Sequence, residues 1–203
     1  MNTIIGYIIN SVPYMLISVP FYIVIRFIIL KKNKTAKNWL REIVLLIFVM
    51  YCVGVASQTF IPKIEFGNTK LILVSQNVFG EINLIPGKVL TDSYYEAIYN
   101  YNYLYFIINV IGNISLFVPI GFLIPTLWRN VSFKHIFVIA LSMSLCIELL
   151  QLPQARGTDI DDLWLNVLGA FIGYWAYILI TKNQKFNKCN YSEPPHKDLI
   201  GLT

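Results

Sequence analysis

The sequence predicts an all-α, polytopic integral membrane protein of about five transmembrane helices, and three observations carry that prediction. Hydrophobic residues make up 56% of the chain and charged residues only 13%, with a mean hydropathy of +0.60, where a soluble domain carries about 25% charged residues. Residues 1–25, 43–62, 97–128 and 163–181 contain no Asp, Glu, Lys or Arg, and 135–154 is interrupted only by Glu148. Lys and Arg collect between alternate stretches, the pattern that fixes one orientation across a bilayer.

The first helix is expected at about 4–30, long enough to tilt and bent by Pro13 and Pro20. It has neither the basic start nor the cleavage site of a secretory signal, so it reads as a retained span. Lys31, Lys32, Lys34, Lys37 and Arg41 follow it, and Arg26 can snorkel to the same surface. The second helix is expected at 43–61. A connection from 62 to 102 comes next, and its segment LILVSQNVFGEINLIPG is too short and interrupted to span, fitting an interfacial position instead. The aromatic run YYEAIYNYNYLYF at 94–106 fits a belt of Tyr rings at head-group level.

The third helix is expected at 103–127, kinked at Pro119, which cannot bond the carbonyl of Ser115. Arg129 and Lys134 separate it from the fourth, at 134–152, and the fifth runs over 162–181. Residues 1–182 thus form one membrane domain, and 183–203 a cytoplasmic tail that includes Lys185, Lys188 and Lys197. The basic loops set the N-terminus outside and the C-terminus in the cytoplasm of a multi-pass cell-membrane protein. Lys63, Lys70, Lys88 and Arg156 remain on the outer side, outnumbered by Glu65, Glu81, Asp92, Glu96, Asp159, Asp161 and Asp162. Topology accounts for the basic clusters, so no nucleic-acid partner is expected. Cys52 and Cys146 fall in spans and Cys189 in the tail, which is no disulfide framework.

The polar residues that remain concentrate in IELLQLPQARGTDIDDLWLN, 147–166, the hairpin between the last two helices. Asp159 is placed to cap the fifth helix, with Asp161 and Asp162 in its first turn, where carboxylates favour the positive end of the helix dipole. Helical spacing puts Asp162, Asn166, Gly169 and Gly173 on one face of the fifth helix, Ser144, Glu148 and Gln151 on one face of the fourth, and Asn109 and Asn113 on the third. Polar groups at that depth are costly against lipid, so they are expected to face one another or a wet cup at the outer end of the bundle. The G-x-x-x-G of Gly169 and Gly173 is expected to pack closely on another helix, within the chain or between copies.

Four segments resemble the VanZ family of membrane proteins associated with teicoplanin resistance: INLIPG at 82–87, NVIGNISLFVPIGFLIP at 109–125, IELLQ at 147–151 and RGTDIDDLWLNVLGAFIGY at 156–174. The resemblance covers about the second half of the chain, and it implies recurrent polar positions at Asn83, Asn109, Asn113, Glu148, Gln151, Arg156, Asp159, Asp162 and Asn166. Gly87 departs from it, since a bulky aromatic is expected after the Asn-Leu-Ile-Pro run.

The candidate ligand-binding set is therefore Asn109, Asn113, Glu148, Gln151, Arg156, Asp159, Asp162 and Asn166, with Gly169 and Gly173 in helix packing. The leading reading is a non-enzymatic envelope protein whose outward cup binds an amphiphile, either a lipoglycopeptide antibiotic or a lipid-linked wall component, among membrane lipid. The alternative is an enzyme modifying a lipid-linked cell-wall or teichoic-acid precursor, with Glu148 or Asp162 as acid or base. Against it, the sequence holds no H-E-x-x-H or G-x-S-x-G motif and no metal-ligand cluster, and no cofactor is expected. Transport or scaffolding of other wall proteins are further readings; polar residues are missing from the inner halves of the helices, which weakens transport.

Overall fold

A computed structural model describes residues 2–33, 38–59, 64–67, 70–73, 82–152 and 158–181. The expected tail at 183–203, Arg156 and residues 74–81 of the expected interfacial segment lie outside the described residues. Five helices are long and apolar enough to cross a membrane, at Ile9–Lys32, Trp39–Thr59, Tyr103–Leu127, Phe133–Gln151 and Ile160–Thr181. At 1.5 Å per residue the shortest reaches about 29 Å, enough for a hydrocarbon core of about 30 Å.

The helix α1 (Asn2–Asn33) carries Pro13 and Pro20 without interruption and packs along α2 (Trp39–Thr59). Arg26 does not run to the surface alone, as its position suggests. Its Nε and Nη2 donate to Glu42 Oε2 and Oε1 at 2.7 and 2.5 Å, and Tyr22 Oη donates to the same carboxylate at 3.0 Å. A fork on a carboxylate satisfies both charges where neither helix offers water, and it pins α1 to α2 at the end opposite Thr59.

The chain is all-helical in its spans, as expected, and outside them four short strands occur among the described residues. An antiparallel pair, β1 (Ile64–Gly67) and β2 (Lys70–Leu73), follows α2. Two-residue strands β3 (Ile82–Asn83) and β4 (Thr158–Asp159) pair in parallel, Ile82 opposite Thr158 and Asn83 opposite Asp159. Pairing across so long a sequence distance leaves no local periodicity in either segment.

Between β3 and the third span lies an unforeseen helix, α3 (Lys88–Tyr99). Its buried face is Val89 and Ser93, while Tyr94, Tyr95 and Tyr99 are exposed, so the tyrosines of the expected belt point away from the bundle. Val89 packs with Val110 and Leu165. Ser93 is 1% exposed, and its Oγ has no hydrogen-bond partner among the described residues. Burying an unpaired hydroxyl costs about 1–3 kcal/mol, so Ser93→Ala is expected to leave stability unchanged or raise it by about 1 kcal/mol, read as the thermal midpoint of the detergent-purified chain. A clear loss would mean that the hydroxyl holds a partner.

The third span begins as α4 (Tyr103–Phe106), widens into a π-helical turn at Ile107–Ile111 and continues as α5 (Gly112–Leu127). Then come α6 (Phe133–Gln151) and α7 (Ile160–Thr181). The main core lies among the last three helices, with Phe117, Ile120 and Ile124 of α5 against Ile136 and Ala140 of α6 and Val167 and Ala170 of α7. The glycines set how close α5 and α7 come. A Cβ on Gly169 would meet the Ile114 carbonyl oxygen at 2.0 Å, and one on Gly173 that of Val118 at 2.0 Å. Gly121 answers from α5, its Cβ position 1.8 Å from the Ala170 oxygen. The small-residue face of α7 is therefore spent on a contact within the chain.

Candidate functional site

The antiparallel course of α6 and α7 brings residues one turn apart on each helix into matching pairs. At the outer pair, Glu148 of α6 and Asp162 of α7 have carboxyl groups within hydrogen-bonding reach of each other. One turn deeper, Asn166 Nδ2 donates to Ser144 Oγ at 2.8 Å. Glu148 and Asn166 are only 4% and 3% exposed.

Asp159 joins this cluster to the segment before α3. It caps α7, its Oδ1 accepting the Asp161 N–H at 2.9 Å, and its Oδ2 accepts Asn83 Nδ2 at 2.8 Å. Its own backbone N–H donates to Glu148 Oε2 at 3.3 Å. From the third span Asn113 Nδ2 reaches the Asp162 carboxylate. Acceptors outnumber donors among the described residues: Glu148 and Asp162 present four carboxylate oxygens, and Asn166 Oδ1 is buried with no partner.

The structure thus gathers Asn113, Glu148, Asp159, Asp162 and Asn166 at one end of the bundle. Two members of the expected set point elsewhere. Gln151 shares a helix face with Glu148, but its Nε2 donates to the Thr59 carbonyl at the end of α2, at 3.3 Å. Asn109 Nδ2 donates to Tyr105 O of its own span at 3.0 Å, and Asn113 Nδ2 also donates to Asn109 O at 2.9 Å. These side chains supply donors where the ladder widens: Gly112 N bonds Ile107 O, five residues back, so the ordinary i to i−4 pairing lapses. The N-x-x-x-N spacing is the only sequence sign of that turn.

Asp161 is the residue that sequence reasoning leaves as a first-turn helix acid. It is fully buried, and it accepts the backbone N–H groups of Gly87 at 2.7 Å and Val89 at 2.8 Å together with Trp164 Nε1 at 2.8 Å. It caps α3 from another helix, because Gly87 at the N-cap position has no side chain with which to do so. Gly87 sits at φ 81°, a conformation that glycine adopts freely and an aromatic residue would strain.

A cavity of about 510 Å³ lies between α1, α2 and the third span at its π-helical turn. Met15, Tyr51, Gly54, Ile111, Asn113 and Leu116 are among its walls. Its size is within the range of about 300–1,000 Å³ usual for small-molecule sites. Asn113 belongs to both places, lining the cavity and bonding Asp162.

Fold and site together define a helical membrane protein, with five apolar helices and a buried carboxylate and amide cluster beside a short helix and a strand pair that are bonded to the start of α7. The chain belongs to the VanZ/LLP1 family, whose model matches residues 43–181. It is 37% identical over 79 residues to Protein VanZ of Enterococcus faecium, a stretch that is 37% of this chain and 49% of that protein. The chain thus spans about half the length of the curated relative it matches. No solved structure matches it. The α1 wall of the cavity, Ser11 and Met15, precedes the family match.

Proposed function

We propose that this chain is a cell-envelope protein, multi-pass in the cell membrane, that gives or modulates glycopeptide resistance of the teicoplanin type by holding an amphiphile without chemistry. The end bearing α3 faces outward and the C-terminus is cytoplasmic. Lys31, Lys32, Arg41, Arg129 and Lys134 support that orientation, since helix alternation gathers all five at the end away from α3. The observation that carries the binding role is the surplus of acceptors at Glu148, Asp162 and Asn166. Such a site favours a partner rich in hydroxyl or ammonium donors, as the polar part of a glycopeptide antibiotic or a lipid-linked wall component is.

The test compares glycopeptide susceptibility of cells making the wild-type chain, Glu148→Gln and Asp162→Asn, with the inserted protein quantified in each membrane. Each variant keeps the shape and replaces one acceptor oxygen with an amide donor, and resistance is expected to fall by about tenfold, the effect of one lost hydrogen bond. Unchanged susceptibility at equal protein level would remove the cluster from the function.

The closeness of Glu148 and Asp162 favours a second reading, acid and base catalysis on a lipid-linked precursor. Purified protein converting such a precursor, with conversion lost in Glu148→Gln, would decide for it.

A further inference from the structure

We propose that the cavity between α1, α2 and the third span is a slot for one acyl chain of an outer-leaflet membrane phospholipid. The inference rests on the reading that the helices span a membrane with the α3 end outward, and it adds the place of a greasy tail beside the polar cluster.

Depth is the first argument. The wall formed by the third span runs from Ile107 to Leu116, roughly 14 Å at 1.5 Å per residue, which is about half of a hydrocarbon core of about 30 Å. The slot therefore begins at the α3 end and stops near mid-bilayer, as a single leaflet does. Its walls are the second argument. Met15, Val55, Ile111 and Leu116 offer hydrocarbon and a thioether beside the polar groups of Ser11, Tyr51, Gln58, Asn113 and Ser115, and Gly112 leaves backbone where a side chain would fill the space. Continuity is the third. Ile107 and Ile111 line the slot and are themselves 42% and 44% exposed, so its wall opens onto the outside of the bundle. A chain can enter sideways from the surrounding lipid.

Asn113 joins the slot to the cluster: it stands in the deeper part of the slot wall and bonds Asp162, so an acyl chain that fills the slot passes against an amide that holds the carboxylate cluster. Slot occupancy and cluster geometry are thereby linked through one amide.

The experiment reconstitutes the full chain into phosphatidylglycerol vesicles doped with a phosphatidylglycerol bearing a diazirine midway along one acyl chain, and maps adducts by mass spectrometry after illumination. Met15, Ile111 and Leu116 are expected to be labelled well above Leu145 and Leu149, exposed positions on α6 that report ordinary lipid contact. Gly112→Leu places a side chain in the slot, and its Cβ meets nothing closer than the Ile107 carbonyl at 3.6 Å, so the backbone need not move. It is expected to cut slot labelling by about tenfold and leave the α6 labels unchanged. Ser115→Phe, on the same wall at an exposed position, provides the same readout if the first variant does not fold.

Labelling no stronger in the slot than on α6, labelling insensitive to both variants, or crosslinks from the slot to a second copy would each overturn the proposal. Susceptibility of cells making Glu148→Gln is read separately. If it changes while slot labelling fails, the slot is wrong and the proposed function stands; the reverse result discards the function and keeps the slot.

Discussion

Asp161→Ala is expected to release α3 from the bundle while the spans stay folded. The substitution leaves the N–H groups of Gly87 and Val89 and the Trp164 indole without their acceptor in a fully buried place. Three hydrogen bonds to one carboxylate are lost together, at a cost of about 3 to 5 kcal/mol. The loss concentrates at the start of α3, because Gly87 offers no side chain to replace the cap. Hydrogen–deuterium exchange on the detergent-purified chain should rise sharply over 88–99 and little within α5. Asp161→Asn keeps one acceptor oxygen and turns an amide donor toward backbone donors, so an intermediate rise is expected. Unchanged exchange in α3 would show that the hydrophobic contact of Val89 with Val110 and Leu165 suffices to hold it.

Gly169→Val is expected to have the other large effect, on the bundle itself. Its Cβ would fall 2.0 Å from the Ile114 carbonyl oxygen and 2.9 Å from the carbonyl carbon. Backbone cannot swing aside as a side chain can, so α5 and α7 must separate and the core of Phe117, Ile120, Val167 and Ala170 opens with them. Overpacking alone costs about 1–3 kcal/mol, and forced separation of two helices costs more, so the variant is expected to lose most of its monodisperse fraction in size-exclusion chromatography. Gly112→Ala is the matched control, with room for its Cβ and a better helix former by up to about 1 kcal/mol. Equal behaviour of the two variants would refute the close-contact account.

Both residues show what the sequence could and could not reveal. Spans are legible because a long charge-free run has one physical solution in a bilayer, and their observed limits lie within a few residues of those expected from length and hydropathy. Close packing at Gly169 was legible from helical spacing, but its partner was not, since α5 contributes only Gly121 and two backbone carbonyls. The role of Asp161 was invisible for a different reason: its backbone partners lie more than 70 residues away and any residue type supplies an N–H.

In the candidate site, the matching of Glu148 with Asp162 and of Ser144 with Asn166 follows from antiparallel helices, so spacing sufficed for it. Spacing failed for Gln151, because one helix face meets two neighbours and the last turn of α6 reaches α2 as well as α7. It also hid α3, where KVLTDSYYEAIY buries only Val89 and Ser93 and leaves its tyrosines outside, so few apolar positions mark the helix. The acyl slot has no pattern at all: its walls come from three spans that each look like ordinary lipid-facing helix.

The cap on α3 also sets an order of assembly. Gly87 and Val89 leave the ribosome 72 to 74 residues before Asp161, a delay of about 4 to 15 s at 5–20 residues per second. The strand pair waits as long, since Asn83 must meet Asp159. Until α7 has been made, α3 has no cap and β3 no partner strand, so both are fixed in place only after the spans that precede α7. A chain stalled before Asp161 would lack Asp162 and Asn166 as well, leaving α3 uncapped and the cluster half-built with every earlier span already in place.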